Sequence, residues 1–395
     1  MPTRYLLLLV HGLMLAILMV GLIERTGTIF LLDVGIYVIT LVSTYAIAIR
    51  VVPETLPWAH WPRLSIPNFI RAILVLQVVL MVVYWAVLGS VPLWTALHET
   101  DDLLIVSIRN EAGAGVPVWL NYLGHLQIKA LAPVALILAW SGHRTLFWSL
   151  AVTAGSFAMS LLAKSFVITL FIPLWIAFLT QRRWSSFAVL TTLFVLLTVG
   201  LSWAANPQKF RTVDTAPSAE HASPIAEDEG VREHGLVGDA VLGVGERILL
   251  MPGHTVAAWF QHIPTDIPFT KGAAVRPLAL VLGMPFQDLS EHVYALEYPE
   301  MAAKQVPGTM GTASFMYGYA NFGRYGLFGS GIIIGLMLVL AYVCFGPRWK
   351  WALVLNVFPL LCLCGGALPT VLLTHGWALT LILFMLLRPD HEPAA

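Results

Sequence analysis

Three polar residues recur seven apart, Arg247, His254 and Gln261, inside the one long hydrophilic segment of a very apolar chain. On a helix that spacing puts them on one face, with Met251 and Ala258 between them. A cation beside a titratable imidazole can stabilise an anionic leaving group while the imidazole takes a proton from a hydroxyl. Glu246 and Glu111 are rival bases. The same pattern also describes an amphipathic helix on a membrane surface with its polar face in water. Spacing leaves both readings open.

A second stripe, Asn121, His125 and Lys129, runs four apart with Tyr122 on the adjoining edge. At 1.5 Å per residue Lys129 would lie about 15 Å below Trp119. That depth is too great for easy snorkelling. Lys129 therefore reads as a group that holds a lipid phosphate or closes a polar cavity, the alternative being a hydrogen bond to a neighbouring helix. Lys164 falls at a tight turn between two apolar runs, where a phosphate-bearing headgroup or an ordinary interfacial anchor belongs. His11, Asp33 and His375 read as satisfied packing residues.

The elements that must position these groups are membrane helices. Of the 395 residues 58% are hydrophobic and only 11% charged, against roughly 25% charged in a soluble domain. Ten apolar segments are predicted, at 5–23, 28–49, 69–88, 119–140, 145–163, 166–180, 186–203, 327–345, 351–367 and 370–387. The expected class is an all-α polytopic membrane protein. The last two segments could instead be one helix broken around Gly365–Pro369. Arg4 and a run of apolar residues with no small-residue cleavage site read as a retained first span. The zero net charge and the lack of a basic run argue against a nucleic-acid partner. Cys344, Cys362 and Cys364 fall in apolar spans and read as packing residues rather than disulfides or metal ligands.

Basic residues orient the chain. One side collects Arg4, Arg50, Arg63, Arg71, Arg144, Arg182, Arg183, Arg348, Lys350 and Arg388, whereas the short segments opposite hold Arg25, Arg109 and Lys164. The positive-inside bias places both termini in the cytoplasm. The chain then divides into a first bundle of about seven helices (1–203), a large extracytoplasmic loop (204–326) and a C-terminal set of helices with a short tail (327–395). The loop's first third is rich in Pro, Ala, Ser and acid and is expected to be mobile. From about residue 240 it turns apolar, as short helices on the membrane face would.

The loop ends in Gly308-Thr309-Met310-Gly311-Thr312-Ala313-Ser314-Phe315-Met316-Tyr317-Gly318-Tyr319-Ala320-Asn321-Phe322-Gly323-Arg324-Tyr325-Gly326 and runs into a span with Gly329, Gly331 and Gly335. These glycines permit tight turns and close helix approach. The Tyr-x-Asn-Phe-Gly-x-x-Gly run, entering a late span after one large loop, resembles the Wzy-type O-antigen (oligosaccharide repeat-unit) polymerases. The Arg247-to-Pro252 stretch resembles the segment that opens the second half of their loop. His254-Thr255-Val256-Ala257-Ala258 partly matches the His-Asn/Ser-x-x-Leu pattern of the related O-antigen ligases.

The resemblance implies a metal-independent, inverting glycosyltransferase of the GT-C superfamily in the bacterial inner membrane, with no cofactor. It would act at the periplasmic face on oligosaccharides carried by undecaprenyl pyrophosphate, among membrane lipids, with a flippase and a chain-length regulator as candidate partners. The candidates are His254 as base, with Arg247 and Glu246 beside it. Arg109, Lys164, Arg276, Arg324, Lys129 and His125 would meet pyrophosphate, and Tyr319 and Asn321 would meet sugar. An O-antigen ligase-like enzyme, a peptidoglycan glycosyltransferase, a transporter or flippase, and a non-catalytic envelope scaffold are the rival readings.

Overall fold

The computed structural model describes residues 3–52, 62–99, 108, 115–162, 164–205, 245–246, 248–303, 308–346 and 348–389. Every one of the ten apolar segments falls on a helix. They are α1 (Leu6–Thr26), α2 (Leu31–Val51) and α3 (Ile66–Leu88), then, after the short α4 (Pro92–His98), the pair α5 (Val118–Leu126) and α6 (Ala132–Trp140). Next come α7 (Arg144–Ser160), α8 (Lys164–Thr180) and α9 (Trp184–Ala205). The intervening loop supplies α10 (Met251–His262), α11 (Arg276–Val281), α12 (Leu289–Glu297), α13 (Pro299–Ala303) and α14 (Ser314–Phe322). The bundle closes with α15 (Arg324–Phe345), α16 (Trp349–Cys362), α17 (Leu368–Leu373) and α18 (Trp377–Leu387).

Among the described residues there is no strand, and six helices are long and apolar enough to cross a membrane. These are Leu6–Thr26, Leu31–Val51, Ile66–Leu88, Val118–Trp140, Arg324–Phe345 and Leu368–Leu387. The expected ten is thus six by length, with α7, α8, α9 and α16 as shorter or less apolar helices beside them. Large apolar side chains such as Leu13, Ile39, Val75 and Val82 stay exposed on helix flanks. An outer surface of that kind needs lipid rather than water against it. The chain is a polytopic membrane protein.

Two of the spans are interrupted. Between α5 and α6 the segment Gln127–Leu131 is π-helical, and the Ala132 amide donates to the Gln127 carbonyl, five residues back. Pro133 explains the register change. It has no amide proton for the Lys129 carbonyl, and its ring clashes one turn back. The second break lies at Thr374–Gly376, between α17 and α18, where Gly376 adopts φ +71°. The break expected around Gly365–Pro369 is also there: Leu363–Ala367 turn the chain between α16 and α17, and Leu368 and Pro369 open α17.

The glycine run at the end of the loop folds α14 back on α15. Gly323 turns the chain at φ +60°, and a Cβ on Gly326 would sit 1.8 Å from the Gly318 carbonyl oxygen. Asn321 then ties in the preceding loop. Its amide oxygen accepts from Thr270 Oγ1 (2.7 Å), the Gly272 amide (2.6 Å) and the Ala274 amide (3.3 Å), while its Nδ2 donates to the Tyr317 carbonyl (2.6 Å). At 2% exposure the side chain is spent on these bonds, which corrects its assignment to sugar. Asn321→Ala strands the Gly272 and Ala274 amides, while Thr270 Oγ1 keeps the Ala320 carbonyl at 3.3 Å, and is expected to cost about 3 kcal/mol. Thermal unfolding in detergent checks this; an unchanged midpoint would remove the tie from the account.

Candidate functional site

The loop docks on the bundle where α10 crosses the end of α1. A Cβ on Gly21 would lie 2.0 Å from the Leu250 carbonyl oxygen, and one on Gly253 would lie 2.2 Å from the Leu22 amide nitrogen. Only two glycines allow backbones that close. Behind them Val256 to Phe260 are buried, and Trp259, 0% exposed, donates its indole N–H to the Met310 carbonyl at 2.9 Å. A helix buried on that side is not one lying on a membrane surface.

The crossing brings the charged end of α1 onto the polar face of α10. His254 Nε2 meets the Glu24 carboxylate. Arg25 donates to the His254 carbonyl (3.4 Å), to Gln261 Oε1 (2.9 Å) and to Glu297 Oε1 (2.7 Å). His254 and Gln261 therefore do share a face, and it is turned to α1. His262 continues the network, its Nδ1 2.6 Å from Asp266 Oδ2 and its Nε2 3.1 Å from Glu297 Oε1. The two histidines differ in what this leaves them. Both nitrogens of His262 are engaged by carboxylates, whereas His254, its side chain 23% exposed, uses Nε2 alone among the described residues. A carboxylate on one imidazole nitrogen orients the ring and supports proton uptake at the other.

Two clefts lie elsewhere on the loop-bearing end. The larger, ≈ 770 Å³, opens between α5, α11, the start of α12, Tyr317 and α17. Arg276 lines it and stacks over Phe286 at 4.6 Å. Asp288 caps α12 by accepting from the Ser290 amide (3.1 Å) and hydroxyl (2.6 Å). Burial, with Asp288 adding to it, pushes the Tyr317 phenol up to about 12, so it stays a neutral donor at physiological pH. Trp119 and Tyr122 stand on the rim. His125 and Lys129 follow on the same helix and share one aromatic neighbour, Phe166, which lies edge-on to His125 at 5.0 Å and 5.7 Å under the Lys129 ammonium.

The smaller cleft, ≈ 550 Å³, is lined by Phe30, Phe269, Tyr319 and Phe322 around an Asp33–Arg324 ion pair. Arg324 donates to Asp33 through Nε (2.6 Å) and Nη2 (3.5 Å). Tyr319 faces this cleft, but its hydroxyl already donates to the Ile263 carbonyl at 3.2 Å. Burial first, then the charge of Asp33, raises its phenol. His11, read as a satisfied packing residue, is buried and hydrogen-bonded through Nε2 to the Tyr37 hydroxyl at 3.0 Å, but its Nδ1 has no partner among the described residues.

The candidates are thus divided: His254 on the α1–α10 seam, Arg276 in the larger cleft above His125 and Lys129, and Arg324 with Tyr319 in the smaller one. Glu246 is exposed just before α10. Arg109, Glu111 and Arg247 lie outside the described residues, as do the side chain of Lys164 at the start of α8 and most of the acidic first third of the loop. Glu24, Arg25, His262, Asp266 and Glu297 were not singled out from sequence. The one available signal was Glu24-Arg25, two adjacent charges ending an apolar run. No family model, no curated protein and no solved structure matches this chain.

Proposed function

We propose that the chain is a multi-pass glycosyltransferase of the bacterial inner membrane that extends a glycan carried on undecaprenyl pyrophosphate. In this reading ten helices cross the bilayer, both termini are cytoplasmic, and the end bearing α10–α14 faces the periplasm. A hydroxyl of the next lipid-linked repeat unit attacks the anomeric carbon of the growing chain with inversion. The new glycosidic bond forms as the bond to pyrophosphate breaks, and the pyrophosphate lipid leaves with the electron pair. His254 takes the hydroxyl proton at Nδ1, Glu24 holds the ring, and an arginine fork supplies charge to the phosphate oxygens. No step needs a divalent cation. The observation that carries the reading is the Glu24–His254 pair, a half-buried imidazole oriented by a carboxylate at the docking seam of the loop.

The test is glycan length in cells that carry the whole assembly pathway. Arg247→Ala, which removes the cation seven residues before His254 in the chain, is expected to abolish long chains while single repeat units still reach lipid A. Chains of normal length would remove Arg247 from the site. Loss of single units as well would favour a ligase-like enzyme or a flippase. A transporter is the second reading, and one observation favours it: two interrupted helices meet at Lys129 and His375, as the broken helices of transporters do at their substrate sites.

A further inference from the structure

One stretch of the loop holds apolar side chains out of the protein. At the end of α11, Leu280, Val281 and Leu282 are 82%, 81% and 49% exposed. No charged residue falls between Arg276 and Asp288. A slack segment of this composition would turn its aliphatic side chains inward, but the backbone here is fixed. The Leu282 amide donates to the Leu278 carbonyl and the Met284 amide to the Ala279 carbonyl, each at 2.9 Å, and Gly283 turns the chain at φ +64°. At the root the Gln287 amide donates to the Ala273 carbonyl at 3.0 Å, which closes the excursion. Ala279, 1% exposed, is its inward side. Gly272 fits beneath it, where a Cβ would lie 2.5 Å from Leu282 Cδ1.

The height of this excursion follows from what it faces. Its two flanks, 274–277 and 286–290, form one wall of the ≈ 770 Å³ cleft. The opposite wall is α5 from Trp119 to Leu126, a rise of about 10 Å, together with α17 from Pro369 to Thr374. Both belong to helices long and apolar enough to cross a membrane, Val118–Trp140 and Leu368–Leu387. The excursion therefore stands level with the end turns of two spans. On α5 those turns expose Val118 (71%), Trp119 (64%) and Tyr122 (49%). Tryptophan and tyrosine gather where acyl chains give way to headgroups. At the root of the excursion Arg276 stacks over Phe286 at 4.6 Å, a cation with apolar cover that suits the same boundary.

We propose that residues 277–286 are an interfacial anchor, and that its tip, Leu280 and Val281, inserts into the acyl chains of the leaflet on the loop-bearing side. Height decides the occupant. A surface level with Trp119 and Tyr122 of a spanning helix is met by lipid before a soluble partner can reach it. Insertion of this kind is shallow, about 5–10 Å into the boundary between headgroups and chains. The anchor also differs from α10, whose apolar side is buried in the bundle and has nothing left for lipid. Its two flanks are at the same time a wall of the larger cleft, so the grip of the bilayer on the tip holds Arg276 and Phe286 across from Trp119. The anchor is independent of the transfer step at His254.

The experiment places a fluorophore on Val281→Cys in the purified full-length protein, in nanodiscs of phosphatidylcholine alone. Glu300→Cys, an exposed charged position on the same loop, carries the reference label. The unaltered protein treated in the same way gives the blank for Cys344, Cys362 and Cys364. Two quenchers are compared, iodide from the water and phosphatidylcholine brominated on its acyl chains. The label at 281 is expected to be quenched by the brominated chains and to lose most of the iodide quenching seen at 300. Leu280→Asp added to Val281→Cys is expected to reverse that pattern, because a carboxylate beside the label is costly among acyl chains. Residue 280 is 82% exposed, so the change removes little contact within the protein. Iodide quenching at 281 equal to that at 300 would overturn the proposal by placing the tip in water. Protection from both quenchers would overturn it too, since the tip would then be covered by protein, a second copy included. Undiminished quenching by brominated chains with Leu280→Asp present would show that the apolar tip is not what holds the segment in lipid, and would equally overturn it.

Discussion

His254→Ala is expected to slow glycan extension by roughly 10²- to 10⁴-fold, the range over which a positioned general base contributes. The geometry behind that expectation is asymmetric. In the proposed reading His254 offers Nδ1 to an acceptor hydroxyl, and Glu24 engages Nε2. Glu24→Gln keeps a hydrogen-bonding partner that can still orient the ring, so its effect is expected to be smaller than that of His254→Ala. His262→Ala separates catalysis from structure. That ring is clamped between Asp266 and Glu297 and has no nitrogen left to accept a substrate proton. Its loss is expected to lower the unfolding midpoint more than the extension rate. The measurements are the rate of ladder growth in isolated membranes and the unfolding midpoint of each purified variant. If His254→Ala extends chains at the unaltered rate, His254 is not the base and the exposed Glu246 becomes the next residue to test.

Gly253→Ala is expected to be the most damaging small change to the seam itself. The added methyl would lie 2.2 Å from the Leu22 amide nitrogen and 2.3 Å from the Leu18 carbonyl oxygen. Both are backbone atoms of a helix and cannot swing aside, so α10 must move off α1. Overpacking of this kind costs about 1–3 kcal/mol and sometimes more, and here it also separates His254 from Glu24 and Gln261 from Arg25. Activity should therefore fall with stability. Gly12→Ala on α1 is the control, because a Cβ there meets nothing within 4 Å. It is expected to be neutral or slightly stabilising, since alanine favours a helix over glycine. Equal midpoints for the two variants would show that the α1–α10 crossing is not a tight seam.

The glycine-rich motif at the end of the loop takes on a structural sense in the same way. Gly318, Gly323 and Gly326 fold α14 against α15, and Asn321 pins the 270–274 loop to them. Its regular spacing was visible in the chain. Its use was not, because the donors that Asn321 accepts from lie about fifty residues away. Tyr319, assigned with Asn321 to sugar, lines the Asp33–Arg324 cleft rather than one shared with His254.

What the amino-acid sequence determined by itself is the helical framework. A backbone in lipid must satisfy its hydrogen bonds within the segment, so each long apolar run becomes a helix whatever surrounds it. The ten expected segments and the observed helices agree to within a few residues at most ends for that reason. The heptad spacing of His254 and Gln261 placed them on one face by the same local logic. Tertiary structure alone decided what that face meets. Glu24 and His254 are 230 residues apart in the chain, and Asp33 and Arg324 are 291 apart. Charges can pair across such separations only after helices cross, and the crossings are set by where glycines let backbones close, Gly21 and Gly253 at one and Gly331 against Tyr37 and Thr40 at the other. The same holds for the larger cleft, whose walls come from four separate stretches of chain. Periodicity reports which side of a helix a residue occupies, but not which neighbour the packed bundle puts there.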